Sequence, residues 1–261
     1  MPEHTDEVGT IRRANLLLRL LATAGKRGLA LTELSARCKL PHPTVHRLLK
    51  QLHAEGLIAQ NEETRRYLLG QVIFELGLAA AEIVDIRHIC APSLQRLSEE
   101  TEDTVYFVMR SGCDAVCIDR REGTYPIRTI TLDIGSRRPL GVGAGGLAIL
   151  SALPDHELED VLAATASRLA SYGGLDTEMQ RTAVQHARDA GYAMVRNRVT
   201  LGVTAIGLSF RDSMDRPVGA LSIGAIDARI SGARRLHLID NLKREIRGIE
   251  SNMRTIKALS E

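Results

Sequence analysis

The 261-residue chain has no tryptophan, and aromatic residues make up only 3% of it. Proteins that bind single-stranded nucleic acid stack successive bases on aromatic side chains, so this composition speaks against that class. No apolar run approaches the ~18 residues that would suggest a transmembrane helix. The first ten residues are polar and acidic, without the basic and then apolar layout of a secretory signal. We therefore expect no membrane association and a cytoplasmic location.

Cysteine is also scarce, with four residues that include Cys113 and Cys117. Their spacing differs from the C-x-x-C of common zinc and redox motifs. Cys117 lies within an apolar run, which favours a buried thiol over the alternatives of a redox sensor or a metal ligand. The motifs G-x-S-x-G and H-E-x-x-H and the Walker phosphate loop are absent as well. We expect no metal, no cofactor and no catalytic site.

The charge that is present is distributed unevenly. The whole chain carries a net charge of +2, whereas residues 10–72 contain eleven Lys and Arg against four Glu and carry +7. A basic segment next to a neutral or acidic one indicates that one part of the chain meets a polyanion and the other does not. The first part is therefore the candidate for contact with nucleic acid.

The basic segment shows the helix order of a helix-turn-helix. Residues 11–24 predict an amphipathic first helix, and Thr32 is placed to cap a short second helix. Pro43 suits the first position of a third helix, where its missing N–H is not needed. Apolar residues recur in that helix at the spacing of a single face: Val45, Leu48, Leu49 and Leu52. One face can thus seat on its own domain while the other points outward.

A two-stranded wing is predicted after the third helix. Gly56 ends that helix, and short apolar runs at 57–59 and 67–69 flank the polar turn 61–66. A helix about 10–12 Å across fits the major groove of B-DNA. The segment therefore predicts a winged helix-turn-helix that binds double-stranded DNA.

The outward residues define a set of predicted DNA contacts. Arg47 can grip a guanine edge with two hydrogen bonds, and Thr44 or His46 can reach base edges. Basic residues elsewhere suit phosphates, which fix position rather than sequence. The predicted DNA-binding set comprises Arg12, Arg13, Arg37, Thr44, His46, Arg47, Lys50, Arg65 and Arg66. For the third helix taken alone, a solvated charged face is the alternative.

The rest of the chain predicts an α+β domain on an antiparallel sheet. Hairpin strands are expected at 104–110 with 115–121 and at 203–211 with 218–226, and residues 126–133 alternate like a further strand. Helices are expected at 92–100, 147–152, 155–169, 177–190 and 231–259. The predicted organisation is a flexible tail over 1–9, a DNA-binding domain over 10–72, a linker helix over 73–89 and a second domain over 90–259.

A glycine-rich segment, residues 141–146, opens the helix at 147–152. Such a turn exposes unpaired amides at a positive helix end, which suits a carboxylate, and Thr129 and Ser222 could add hydroxyl groups. Close packing of helix and sheet explains the glycines equally well. The segment also spells G-x-G-x-x-G, so an NAD-binding oxidoreductase is an alternative, although no parallel β–α–β alternation follows.

Three ordered sequence blocks resemble the IclR family of bacterial transcription regulators. They contain A-L-T-E-L at 30–34 with T-V-H-R-L-L at 44–49, then R-P-L at 138–140 with the glycine-rich segment, and finally G-V-T-A-I at 202–206 with G-A-L-S-I at 219–223. The likeness covers about residues 10–255. It implies a transcription regulator rather than an enzyme.

The resemblance also implies a GAF-like effector domain for small organic acids or aromatic metabolites, and homodimers or homotetramers on operator DNA. It places the effector at positions that correspond here to Thr129, Ala144, Gly145, Ala205 and Ser222. Segment 196–200 is basic here where many members are acidic, which implies a different choice of ligand. A second domain that only oligomerises is the remaining alternative.

Overall fold

The computed structural model describes residues 9–79 and 82–260, and the chain divides into two compact units, residues 1–84 and 85–261. Apart from Gly9, the predicted tail lies outside the described residues, as do positions 80 and 81 of the predicted linker helix. Among the described residues, no helix is both long and apolar enough to cross a membrane.

The first unit contains the three helices and the two-stranded wing that were predicted, followed by a fourth helix. Its elements are α1 (Thr10–Ala24), a 3-10 turn (Gly25–Arg27), α2 (Leu31–Cys38), α3 (His42–Ala54), β1 (Ile58–Gln60), β2 (Tyr67–Leu69) and α4 (Gln71–Ala79). β1 pairs antiparallel with β2. A single apolar core joins Leu17 and Leu21 of α1 to the predicted apolar face of α3. Burial of each such side chain contributes about 1.5–3 kcal/mol, which fixes the face that α3 turns outward.

The start of α2 differs from the prediction. Thr32 does not cap the helix, because the helix already begins at Leu31. The carboxylate of Glu33 instead accepts a hydrogen bond from the amide of Ala30 at 2.8 Å. A side chain of the first turn that reaches back in this way satisfies an amide that the helix itself leaves free.

The second unit is built on a six-stranded sheet. Its elements are α5 (Glu82–Thr101), β3 (Thr104–Ser111), β4 (Asp114–Arg121), β5 (Arg137–Pro139), α6 (Ala144–Ser151), α7 (Asp155–Leu169), α8 (Thr177–Ala190), β6 (Ala193–Arg196), β7 (Val203–Arg211), β8 (Pro217–Ile226), a 3-10 turn (Asp227–Arg229) and α9 (Gly232–Ser260). The strand order is β5-β4-β3-β8-β7-β6, and each described pairing is antiparallel. The α+β prediction is confirmed.

Helices cover both faces of this sheet. Along β3, Val105 and Phe107 join the core formed with α5 and α9, whereas Tyr106 and Val108 join the core formed with α6, α7 and α8. This alternation follows from the two-residue period of a strand. The sheet is therefore buried on both sides, and α6 lies against β7 and β8 on the second face.

The predicted strand at 126–133 is wrong. Residues 126–134, which we call the strap, have no ladder to the sheet: the flanking amides of Tyr125 and Gly135 bond to the carbonyls of Glu102 and Cys117, at 3.0 and 2.8 Å. The burial of the strap does not alternate either, because Ile127 and Thr129, two residues apart, are 56% and 5% exposed. The edge strand on this side of the sheet is β5.

Two further elements differ from the prediction. The helix expected at 92–100 is the end of α5, which runs through Pro92. Pro92 is exposed, so the carbonyl that lacks its usual N–H partner can face water. The four-residue strand β6 was not predicted, because a run this short gives too little periodicity to be recognised.

Candidate functional site

The outward face of α3 is polar and accessible. His46, Arg47 and Lys50 are exposed, and Thr44 is half-buried. With 3.6 residues per turn, Arg47 and Lys50 lie near the middle of the side opposite the buried face. The four residues predicted on this helix therefore share one surface.

The wing borders this surface. A cleft between α3 and the wing is lined by His46, Leu49, Lys50, His53, Gln60 and Tyr67. In the wing turn, the side-chain oxygen of Asn61 accepts the amides of Glu63 and Thr64 at 3.1 and 2.8 Å. Arg65 follows with a φ of +56° and is exposed. The turn thus presents Arg65 to solvent.

Arg66, the other predicted wing contact, is held inside the unit. Its guanidinium binds the Glu33 carboxylate, and its Nε donates to the carbonyls of Arg27 and Gly28 at 3.0 and 3.3 Å. The hydrogen bond from the Ala30 amide holds the pKa of Glu33 below its ordinary value, and the charge of Arg66 adds to this effect. Arg66 therefore links the wing to the α1–α2 connection.

The basic residues of α1 and α2 have mixed surroundings. Arg12 is exposed, whereas Arg13 is half-buried and its Nε has no hydrogen-bond partner among the described residues. Both line a groove with Ile11 and Leu16. Arg37 of α2 is exposed. Arg12 and Arg13 thus lie beside apolar side chains of the groove.

In the second unit, a cavity of about 70 Å³ lies beside the first turn of α6. Four predicted effector residues line it together: Ala144, Gly145, Ala205 and Ser222. Thr129 is not among the lining residues, and its hydroxyl donates to the carbonyl of Gly224 at 2.6 Å. This hydrogen bond attaches the strap to β8, and contact of Thr129 with the effector stays a prediction.

Two glycines allow α6 to lie directly on the sheet. A Cβ on Gly207 of β7 would lie 2.6 Å from the carbonyl oxygen of Ala144, and one on Gly145 would lie 2.7 Å from a methyl of Val108. The first amides of a helix have no partner within it, and they carry the positive end of its dipole. The glycines therefore permit close packing, and this end of α6 lines the cavity.

The sheet contradicts the dinucleotide-binding alternative. β5, the strand before the glycine-rich segment, pairs antiparallel with β4, whereas a dinucleotide fold needs parallel strands joined by a helix. The first glycine has a local reason: Gly141 has a φ of +93°, and a Cβ there would lie 2.4 Å from the side-chain oxygen of Gln180. The G-x-G-x-x-G spacing is thus a result of turn geometry and packing.

The sequence did not point to the strap-side lining of the cavity. The hydroxyl of Tyr106 donates to the carbonyl of Thr129 and accepts from the amide of Thr131 at 3.0 Å. Burial raises the pKa of Tyr106. Arg138 donates to the carbonyl of Thr131. Tyr106 and Arg138 therefore hold the strap and line the cavity at the same time.

Two arginines line the cavity, and no carboxylate does among its described lining residues. Arg138 and Arg198 are both half-buried, and burial lowers the pKa of each guanidinium. Neither was predicted as a site residue. Their signal in the sequence is weak, because Arg138 adjoins the glycine-rich segment but Arg198 reaches the cavity only through the fold.

The surroundings of Cys117 do not favour a redox role for its thiol. Cys117 is fully buried, as predicted, and burial raises the pKa of its thiol to about 12. Across the part of the chain that the structure describes, no three His, Cys, Asp or Glu side chains are grouped to hold a metal ion.

Comparison with known proteins identifies the family. The model of the C-terminal domain of bacterial IclR transcriptional regulators matches residues 78–250, and the IclR helix-turn-helix model matches residues 10–62. The chain belongs to the IclR family. KipR of Bacillus subtilis, an HTH-type transcriptional regulator, is 30% identical over 237 residues, which cover 90% of this chain and 92% of KipR.

Solved structures share the fold of this IclR-family chain. An IclR regulator from Alicyclobacillus acidocaldarius has a TM-score of 0.74 at 22% identity and covers 93% of this chain and 97% of its own. An IclR homologue from Microbacterium hydrocarbonoxydans, complexed with 4-hydroxybenzoate, has a TM-score of 0.73 at 19% identity and covers 95% and 100%. The IclR-family chain is a transcription regulator with a helix-turn-helix and a C-terminal effector-binding domain.

Proposed function

We propose that this regulator acts in the cytoplasm, binds an operator through α3, and changes its DNA affinity when a small molecule enters the α6 cavity. The observation that carries the proposal is the outward face of α3, where Arg47 and Lys50 are exposed above an apolar back. The charge of +7 over residues 10–72 supports it, because contacts to phosphates supply most of the sequence-independent affinity for DNA.

The DNA contacts divide into two kinds. Arg47, with Thr44 and His46 beside it, is proposed to read base edges in the major groove. Lys50 and the exposed Arg12, Arg37 and Arg65 are proposed to bind phosphates. Arg13 and Arg66 are less available, since the first is half-buried and the second is bonded within the unit. Arg66 is therefore proposed to hold the wing in place rather than to contact the DNA.

The effector is proposed to be an organic acid or an aromatic metabolite with an acidic group. Its carboxylate would accept hydrogen bonds from the first amides of α6, at Ala144 and Gly145, and from the hydroxyl of Ser222. Ser222 is 6% exposed and lines the cavity. Ala205 would form part of the apolar wall.

The regulator is proposed to be a homodimer or homotetramer. Ile11 on α1 is 85% exposed, and on α4 Phe74 and Leu76 are 65% and 58% exposed. Apolar side chains this exposed are typical of surfaces that another chain covers. Two α3 helices related by a twofold axis would read half-sites about 34 Å apart, or a multiple of that distance.

No catalytic step is proposed for the cavity. A serine nucleophile needs an adjacent base, and the described lining of the cavity beside Ser222 contains no histidine, lysine or carboxylate. The cavity is suited to binding rather than turnover, and no metal or cofactor is proposed for it.

The test is a gel-shift assay with purified full-length protein and genomic fragments from its own host, at modest ionic strength. We expect specific retardation of a small number of fragments, and we expect small organic acids to change the affinity for them. Equal binding to all fragments would contradict operator recognition. Specific binding that no metabolite changes would instead favour a second unit that only oligomerises.

A further inference from the structure

We infer that the effector is a dianion with two separate acidic groups, a short dicarboxylate, which bridges the first turn of α6 and the pair Arg138–Arg198. This inference rests on the proposed role of the α6 cavity as the effector site. It adds the charge and the length of the ligand to that role.

The lining of the cavity carries an unbalanced positive charge. Arg138 and Arg198 contribute two positive charges to the cavity, and no lining carboxylate balances them. Among the described residues, Arg198 forms no side-chain hydrogen bond or ion pair, and Arg138 reaches only the carbonyl of Thr131. Arg196, two residues before Arg198, is by contrast paired with Asp227 at 3.6 Å. The two lining cations are thus left for a ligand.

The two guanidiniums are partly buried, and burial of a charge costs free energy. A partly desolvated guanidinium is unfavourable unless an anion or several acceptors compensate it. Burial lowers the pKa of both Arg138 and Arg198, which reflects the cost of placing their charges in the cavity. A ligand with a single carboxylate would leave the lining with a net charge of one, whereas a ligand with two negative charges would neutralise it.

The lining contains two sets of groups that can bind an acid. The first amides of α6 and the hydroxyl of Ser222 form one, and a Cβ on Gly145 would lie only 3.4 Å from that hydroxyl. Ser222 is 94% buried, given its exposure of 6%, and its hydroxyl has no hydrogen-bond partner among the described residues. The guanidiniums of Arg138 and Arg198 are the other anion-binding groups of the lining. Two anion-binding groups in one cavity match two carboxylates on one molecule.

The volume of the cavity limits the size of the ligand. The cavity of about 70 Å³ is roughly half of the ~150 Å³ apolar cavity that holds a benzene ring. A short aliphatic chain therefore fits better than an aromatic acid. A guanidinium also suits a planar carboxylate, which can accept two parallel hydrogen bonds from an arginine.

The experiment is calorimetry with the full-length regulator and a matched ligand series. Oxalate, malonate, succinate and glutarate are each compared with their monomethyl esters, which keep the carbon chain and remove one charge. Inorganic phosphate tests a compact dianion, and 4-hydroxybenzoate tests an aromatic monoanion. We expect at least one diacid to bind about 10- to 100-fold more tightly than its monoester and than the other two probes.

Variants assign this preference to the arginines. Arg198→Gln should reduce the preference for the diacid to within about threefold, because it removes one charge-assisted partner. Arg138→Lys keeps the charge but loses the paired donors of the guanidinium, so it should keep more of the preference than Arg198→Gln does. Arg196→Gln is the matched control, since this residue is exposed and lies outside the lining. It should change nothing.

The outcomes separate the inference from the proposed function. If a monoester, phosphate or 4-hydroxybenzoate binds as tightly as every diacid, or if no diacid binds, the dianion inference is wrong. If a ligand binds and releases DNA equally well in Gly145→Val, the α6 cavity is not the effector site and the proposed function is wrong. Diacid binding that survives unchanged in Arg198→Gln also overturns the inference.

Discussion

The two units of this regulator present their functional groups in opposite ways. In the first unit, the groups proposed to meet DNA are exposed side chains on one regular helix, α3. In the second, the proposed site is made of backbone amides and half-buried side chains from several strands, α6 and the strap. We therefore expect substitutions on the outward face of α3 to leave the fold intact, whereas a single methyl group added at Gly145 changes the cavity.

The largest effect is expected from Gly145→Val. The new side chain would start 2.7 Å from a methyl of Val108 and 3.4 Å from the Ser222 hydroxyl, so it would fill the effector end of the cavity. We expect loss of the effector response, with ligand affinity reduced about 10- to 100-fold. Fluorescence anisotropy with labelled operator, titrated with ligand, measures this.

The control for this variant is Gly248→Ala in α9, where an added Cβ meets nothing within 4 Å. It should respond to the effector like the unchanged protein. Operator affinity without ligand should stay the same in both variants. A Gly145→Val protein that still responds fully would limit the glycine-rich segment to a structural role.

The second effect concerns α3. Arg47→Ala should weaken operator binding by about 1–3 kcal/mol and relax the preference at one base pair, because it removes a contact to a base edge. Lys50→Ala should weaken binding to all sequences alike and reduce the salt dependence by about one phosphate contact. Binding curves over a range of salt, on operator and scrambled DNA, distinguish the two. Identical behaviour of the two variants would contradict these roles.

The third effect separates the two wing arginines. Arg66→Ala should lower the free energy of unfolding by about 1–2 kcal/mol, since it removes hydrogen bonds to the carbonyls of Arg27 and Gly28. Arg65→Ala should leave stability unchanged and weaken DNA binding only. Urea unfolding of the full chain, followed by circular dichroism, gives the first quantity. The assignment of Arg66 fails if both variants are equally stable.

The smallest effect is a pH dependence in the second unit. Burial alone would raise the pKa of Glu245, but hydrogen bonds from its partners, among them Arg96 and Arg244, outweigh burial and hold it below 4.5. A carboxyl with a depressed pKa stabilises the fold above its unfolded value, and this stability is lost as pH falls through the folded value. Acidification below about pH 4.5 should therefore reduce the contribution of Glu245.

The variant Glu245→Gln cannot ionise, so its deficit in urea midpoint should be largest at pH 7 and shrink towards pH 3. Glu178→Gln is the control, because Glu178 is 79% exposed in its pair with Arg181 and exposed ion pairs contribute little. A deficit for Glu245→Gln that is the same at both pH values would show that the charge of Glu245 does not stabilise the unit.

The same contrast explains what the sequence could predict. On α3, residue type and helical period together decide which side chains are outside, so the exposed set around Arg47 followed from spacing alone. In the second unit, the bounds of α7, α8 and β7 were predicted as they are found. The lining of the cavity was predicted only in part: Ala144, Gly145, Ala205 and Ser222 came from the family resemblance.

The remaining lining residues depend on long-range contacts that no local pattern encodes. Arg198 reaches the cavity from the segment before β7, and Tyr106 faces it because β3 pairs with β8 in a register that only the folded sheet defines. Thr129 and Arg66 were predicted as contact residues for the same reason: the sequence does not show their long-range hydrogen bonds. Each is a residue type suited to contact with a ligand or DNA, but the side chain of each donates hydrogen bonds to a neighbouring segment of the protein.

The strap has a consequence for how the ligand choice of such a regulator can change. It is attached by the hydroxyls of Thr129 and Tyr106 and by Arg120, which donates to the carbonyl of Leu132 at 3.1 Å. A one-residue insertion in β3 or β8 would reverse every side chain beyond it. An insertion in the strap alters no strand register, because there is none to shift. One wall of the cavity is therefore free to vary in length and chemistry between related proteins while the six strands stay as they are.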